Sequence, residues 1–349
     1  MFQNLILRSL VASAALILAP ATASAAGAAD VAQLTLPAGV FADGLAVAAD
    51  DTVYISGVFG GAGVYRALPG ETEMRRFITP PEGEQVQYNG IALDSSQTLL
   101  HVCVNRNVFT SAPHRIPEVR VYERQTGTLV KSYPFPDFGT CDDISFDRNG
   151  NLYITDSMGT NPDGVRLGTA RVLVLRAGTS SIQEWVKSPE LYGEIALNFD
   201  NIQVNGIAIM DDQVFINSTG TFKTHRIPIK ADGTAGPLSL VQVTRPLDTP
   251  DGMCVAAGKL LITEVGIVFS ARGRNGKIVE AALSGPPGFI STARIKKPLA
   301  VGDSISTCAA SSKYFYFLES QFGKAYFPDR MAEGLKPSVI HRRSLDTLN

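Results

Sequence analysis

The chain has 349 residues, 45% hydrophobic and 18% charged, with a formal net charge of -2. A balance this close to neutral offers no basic surface for nucleic acid or an anionic membrane. The 32 glycines and 20 prolines, with no long segment of helical period, favour a turn-rich all-β chain over a helical one.

Residues 1–25 read as an export signal. Arg8 gives a basic start, "LVASAALILAP" an apolar core too short to span a bilayer, and Ala23 and Ala25 an A-x-A cleavage site. No cysteine follows for lipid attachment. The expected mature chain is residues 26–349, a single domain in a periplasmic or secreted protein. Export permits disulfides among Cys103, Cys141, Cys254 and Cys308. None shows C-x-x-C or zinc spacing, so small buried cysteines are equally open.

Beyond the signal, one pattern recurs about every fifty residues. An Asp-Gly or Asn-Gly pair leads an apolar run, then a polar turn, then a β-branched or aromatic run. The copies are "ADGLAVAADDTVYISG" led by Asp43, "YNGIALDSSQTLLHVC" led by Asn89 and "CDDISFDRNGNLYITD" led by Asp142, with Asp143 in the glycine position. "VNGIAIMDDQVFINS" follows, led by Asn205, then "PDGMCVAAGKLLITE", led by Asp251. The sixth, "SISTCAASSKYFYFLE", is degenerate. Matching its Cys308 and Lys313 to Cys254 and Lys259 puts Ile305 where Asp251 should be.

Third strands follow in "GVYRAL", "EVRVYER", "ARVLVLRA", "THRIPIK" and "GKIVEAAL", and fourth strands in "MRRFITP", "LVKSYPFP", "SIQEWVK" and "LSLVQVT". Four antiparallel strands in each of six repeats predict an all-β, six-bladed β-propeller around a central axis. "VAQLTLP" near the mature N-terminus and "PSVIHRRSL" near the C-terminus are both strand-like, and either could complete the last blade.

A lone Asp-Gly is usually only a turn. In a propeller, however, equivalent positions on the innermost strands converge on the axis. Three aspartates there repel unless a cation neutralises them, and carboxylate and amide oxygens suit a hard cation such as calcium or another divalent ion.

At these residues the chain resembles the gluconolactonase/regucalcin (senescence-marker-protein) family of six-bladed propellers, relatives of the diisopropylfluorophosphatase and paraoxonase groups. "PDGMCV" is similar to the family's metal motif and implies Asp251 as ligand and water-activating base. "VNGIAI" implies Asn205 as ligand. "ADGLAV" stands where the family has Glu-Gly-Pro, so Asp43 would replace a ligand glutamate. "TCDDISF" stands where it has Asn-Asp-Gly, which implies that Asp142 and Asp143 contact substrate or the metal's water.

The segments joining second and third strands share the face of the axial residues. They bring His114 as a candidate base and Arg115, with Asn89, as substrate contacts. They also bring Asp156, Arg166, Ser218, Thr219, Lys223, Glu264, Arg272 and Arg274, while "SPELYGEIALNFDNIQ" is a candidate lid. His225 reads as a packed outer-strand residue. No phosphate cradle, G-x-S-x-G elbow or H-E-x-x-H motif is present. The expected activity is calcium-assisted hydrolysis of a lactone or ester on a small-molecule substrate. The alternatives are a binding propeller with a structural calcium ion and a non-hydrolytic rearrangement in the same pocket. Pocket polarity separates the substrates. Convergent Arg115, Arg166 and Arg274 would favour an anion; walls of Phe109, Met158, Phe222 and Phe269 would favour a lipophile.

Overall fold

A computed structural model describes residues 32–107, 110, 113–157, 170–192, 203–268, 272–285 and 292–348. A short strand, β1 (Gln33–Thr35), precedes three antiparallel meanders, in which each strand pairs with the next. The first is β2 (Phe41–Val47), β3 (Val53–Phe59), β4 (Gly63–Ala67) and β5 (Arg75–Ile78). The second is β6 (Val86–Leu93), β7 (Leu99–Arg106), β8 (Glu118–Glu123) and β9 (Leu129–Pro134). The third is β10 (Cys141–Phe146), β11 (Leu152–Asp156), β12 (Arg171–Leu175) and β13 (Ile182–Lys187).

A nine-stranded sheet then joins two further meanders. One is β14 (Val204–Met210), β15 (Gln213–Ser218), β16 (Lys223–Pro228) and β17 (Ser239–Val243). The other is β18 (Pro250–Ala256), β19 (Lys259–Glu264), β20 (Gly276–Ser284) and β21 (Thr292–Ile295), with β22 (Ala300–Gly302) added beside β20. The outer strands β17 and β21 pair in parallel and fuse the two. The last meander is β23 (Ile305–Ala310), β24 (Tyr314–Glu319) and β25 (Val339–Ser344). Both termini complete it, because β1 pairs antiparallel with β25.

The leading strands β2, β6, β10, β14, β18 and β23 pack in that order, and β23 returns to β2, which closes the ring. The sheets therefore stand face to face like blades. Side chains alternate along a strand, so every sheet feeds the core on each side of it. On β3, Val53 and Ile55 enter the core shared with the last sheet, while Tyr54 enters the core shared with the second. On β11, Leu152 and Ile154 pack toward the second sheet, and Tyr153 toward the fourth. This accounts for runs that are apolar on both faces. Each such side chain, fully buried, contributes roughly 1.5–3 kcal/mol.

All four cysteines are paired. Cys103–Cys141 ties β7 to β10, and Cys254–Cys308 ties β18 to β23. Each bond crosses between neighbouring meanders, so the two cysteines aligned as equivalents in the sequence are partners in space.

Candidate active site at the propeller axis

Every leading strand carries a register shift at the same place. It falls between Ala42 and Leu45, Tyr88 and Ile91, Cys141 and Ile144, Val204 and Ile207, Pro250 and Met253, and Ile305 and Cys308. Such a bulge sets two residues against one on the partner strand and re-aims their side chains. The first bulge residue is Asp43, Asn89, Asp142, Asn205 or Asp251, and the second is usually glycine.

That glycine answers to a close approach. A Cβ on Gly44 would lie 2.4 Å from the Asn89 carbonyl oxygen, and one on Gly206 would lie 2.3 Å from that of Asp251. The neighbouring leading strand leaves no room for a side chain. The pair thus marks where adjacent leading strands touch.

The same register corrects the sixth copy. Ile305 pairs with Glu319 as Pro250 pairs with Glu264, and Cys308 pairs with Phe317 as Met253 pairs with Ile262. Ser306, not Ile305, is therefore the equivalent of Asp251. Hydroxyl bridges confirm it. Thr155 Oγ1 donates to the carbonyls of Asp143 and Asn205, and Thr263 Oγ1 to those of Gly252 and Ser306. Ser56 makes the matching bridge from Gly44 to Asn89. Matching on Cys308 slipped the copy by one residue.

The axial side chains form a connected group. Asn89 Nδ2 donates to Asp43 Oδ2 at 3.3 Å, and its own Oδ1 accepts from Gln87 and Asn105 at 3.1 and 2.9 Å. Asn205 hydrogen-bonds Asp251. Asn89, Asp142, Asn205, Asp251 and Ser306 are all buried, and Asp43 is the most open. Asp142 Oδ2 and Ser306 Oγ are buried without a hydrogen-bond partner.

Burial and mutual repulsion drive these carboxyls toward the protonated form. Asp43 is pushed up to about 6 by burial, with the Asn89 bond pulling back. Asp142 is raised well above the usual carboxylate range by burial, then by the charges of Asp43 and Asp143. Asp251 is raised by burial, then by Asp43, Asp142 and Asp143. Uncompensated charge at one point is what a cation relieves. Among the described residues no three His, Cys, Asp or Glu side chains form a metal cluster. The axial donors are instead a mixed set of carboxylate, amide and hydroxyl oxygens, which fits a hard cation.

Other expected site residues lie elsewhere. Asp143 turns away from the ring: its oxygens accept from the Ile144 and Ile207 amides at 2.9 and 3.1 Å, and burial pushes it up to about 7. Arg115 pairs with Glu118 at 2.6 Å and Glu84 at 3.6 Å. His114 is half-buried on the segment between β7 and β8. Asp156 is fully buried against Arg171 at 2.7 Å, and Glu264 is buried against Arg245. Ser218 and Thr219 hydrogen-bond the Leu191 and Pro250 carbonyls. His225 is buried on β16, where burial lowers it to about 4. Phe109, Met158, Arg166, Phe269 and most of the candidate lid lie outside the described residues.

Sequence reasoning missed a whole element. Between β24 and β25 the chain forms two short helices, α1 (Phe322–Tyr326) and α2 (Pro328–Met331). Burial, then the charges of Asp43, Asp251 and Asp142, raise the Tyr326 phenol above the usual tyrosine range, so this residue stands at the axial site. "ESQFGKAYFPDRM" carries the signal, a short polar-aromatic stretch with proline at a helix start.

No family model and no curated protein matches the chain. Solved structures do. A gluconolactonase of Xanthomonas campestris aligns at TM-score 0.58 and 15% identity, covering 93% of each chain. The allergen Mala s 1 of Malassezia sympodialis aligns at 0.62 and 11%, over 89% of this chain and 95% of that one. The PQQ-bound aldose sugar dehydrogenase of Streptomyces coelicolor aligns at 0.54 and 14%, over 89% and 98%. The chain has the fold of the gluconolactonase-like β-propellers. At these identities the likeness is one of fold, and that fold serves more than one chemistry.

Proposed function

We propose that the chain is an exported, six-bladed, calcium-dependent hydrolase of lactones or esters. Residues 1–25 would be its signal and 26–349 its single propeller domain. The observation that carries the reading is the axial ring itself, in which three crowded, mutually repelling carboxylates stand with two amides, and Asp142 Oδ2 and Ser306 Oγ lack a hydrogen-bond partner. The gluconolactonase among the solved relatives is consistent with it.

In this reading Asp43, Asn205 and Asp251 hold the cation. Calcium, when bound, polarises a carbonyl and offsets the charge that develops on its oxygen. Asn89 and the phenol of Tyr326 orient the substrate. Asp142, whose Oδ2 is buried without a hydrogen-bond partner, takes a proton from water. The water oxygen adds to the carbonyl carbon, the ring C–O bond breaks, and the proton held on Asp142 passes to the departing alkoxide. The product is a hydroxy acid, or an acid and an alcohol. His114 has no part in this scheme.

The test is calcium calorimetry with a lactone and ester screen on chelated protein, wild type against Asp251→Asn. Calcium-dependent turnover is expected, falling by about 10²–10³-fold in the variant. Calcium binding with no turnover on any substrate would instead mark a binding propeller with a structural ion. No binding in wild type would remove the metal reading.

A further inference from the structure

Four aromatic rings cluster beside the axial site, two from the first sheet and two from α1. Phe41, two residues ahead of Asp43 on β2, stacks on Phe59 of β3 with centroids 4.1 Å apart. Phe322 of α1 lies 6.4 Å from Phe41 and 6.3 Å from Phe59, nearly parallel to both. Tyr326, one helical turn on, is 6.3 Å from Phe322. Phe59, Phe322 and Tyr326 are only half-buried, so part of the aromatic surface remains exposed.

The segment that brings Phe322 and Tyr326 is firmly held. Arg330 is fully buried, donating to the Arg272 carbonyl at 2.8 Å, Asp303 at 2.6 Å and Glu333 at 3.1 Å. Lys324 Nζ donates to Gln321 Oε1 at 2.8 Å and the Gly334 carbonyl at 3.1 Å. Gly323 N donates to Ser304 Oγ at 3.0 Å, and Ser338 Oγ to the Val40 carbonyl at 3.2 Å. Burying cations this deeply is costly unless each is paired. Here the pairing ties α1 and α2 to the Arg272 and Asp303 segments.

We propose that Phe41, Phe59, Phe322 and Tyr326 form the subsite for a lipophilic substituent, so that the lactone or ester taken at the axis carries an alkyl or aryl group. The assignment rests on the hydrolase reading and narrows its substrate. Aromatic faces reward burial of apolar surface, whereas a sugar lactone would need a matching polar group for each hydroxyl. Among the described residues, the arginines that could have selected an anion are engaged by the protein's own carboxylates. Arg272 pairs with Asp329, Arg274 with Glu333, and Arg115 with Glu84 and Glu118.

The test compares hydrolysis of a heptyl-substituted δ-lactone and of glucono-δ-lactone by the calcium-loaded full chain. Calorimetric binding of the matching heptyl δ-lactam, which resists turnover, is measured beside it. Wild type is expected to favour the heptyl lactone through KM and to bind the lactam. Phe322→Leu, which keeps an apolar side chain in the fold, and Phe322→Ala should each weaken both by about tenfold or more. Their effect on glucono-δ-lactone should be several-fold smaller. Equal losses on the two lactones, or a wild-type preference for glucono-δ-lactone, would overturn the subsite. Lactam binding that Phe322→Leu abolishes, without hydrolysis of any lactone, would support the subsite and defeat the hydrolase reading. Hydrolysis of glucono-δ-lactone without lactam binding would do the reverse.

Discussion

The two ends of the axis are lined by the same strands but by different side chains. At one end stand Asp43, Asn89, Asp142, Asn205, Asp251 and Ser306. At the other, Leu45, Ile91, Ile144, Ile207 and Met253 line a cavity of about 290 Å³ with Cys254 and Cys308. The bulge in each leading strand separates the two. Its first residue faces the polar end, and the residue two positions beyond it is apolar and enters the opposite mouth. Asp143 shows how strictly the bulge sorts side chains. It adjoins Asp142 in sequence, yet it lines the opposite mouth and spends its oxygens on backbone amides. One strand can thus carry a carboxylate-bearing end and a disulfide-bearing end without mixing them.

The largest way to break this contrast is to open the structural end. Replacing Cys254 and Cys308 together by serine removes the link between β18 and β23. Thermal or denaturant unfolding should show a loss of about 2–4 kcal/mol. Calcium affinity, measured below the melting range, should change much less. A loss of calcium binding as large as that in Asp251→Asn would show that the two ends are not separable.

A smaller effect is expected at the waist. In Gly252→Ala the new Cβ would lie 2.7 Å from the Ser306 carbonyl oxygen and 2.8 Å from Thr307 Cα. Overpacking of this kind costs about 1–3 kcal/mol. Gly258→Ala, which meets no atom within 4 Å but has φ +70, is the control for backbone strain alone. Equal melting shifts in the two variants would mean that inter-strand contact is not what selects Gly252.

The smallest effect is electrostatic and belongs to the polar end. Asp43 has a folded pKa of about 6 against an ordinary 3.8, so the fold favours its protonated form. The stabilisation is full below about pH 4 and is lost as pH rises through about 6. In chelator the melting temperature should therefore fall by about 2–4 °C between pH 5 and pH 7. Calcium should restore it at pH 7 and do little at pH 5, where protons compete for the same oxygens. A melting temperature that rises over this range in chelator, with no response to calcium at pH 7, would contradict the charge-crowded ring.

Much of this was legible from spacing. A propeller repeats one strand plan around an axis, so Asp43, Asn89, Asp142, Asn205 and Asp251 recur in the chain and then meet in space. The sixth position was not legible. "SIST" has neither acid nor glycine, and its alignment depends on which residues of β23 pair with β24 across the bulge. Asp142 and Asp143 could not be told apart for the same reason, because which of two adjacent residues faces the axis depends on where the bulge interrupts the alternation. Arg115 and Asp156 looked available until the fold brought Glu84 and Glu118 to the one and Arg171 of the next strand to the other.

By itself the sequence determined the all-β architecture, the repeat and the line of oxygen-bearing residues, because these follow from local periodicity and turn chemistry. Tertiary structure decided that both termini build one sheet, that the cysteines bridge adjacent meanders, and that Ser306 joins the ring. It also placed Phe322 and Tyr326 beside carboxylates that precede them by at least 71 positions, counting from Asp251 to Phe322. Those outcomes rest on pairings between residues far apart in the chain, and no local pattern encodes which distant strand will be the neighbour.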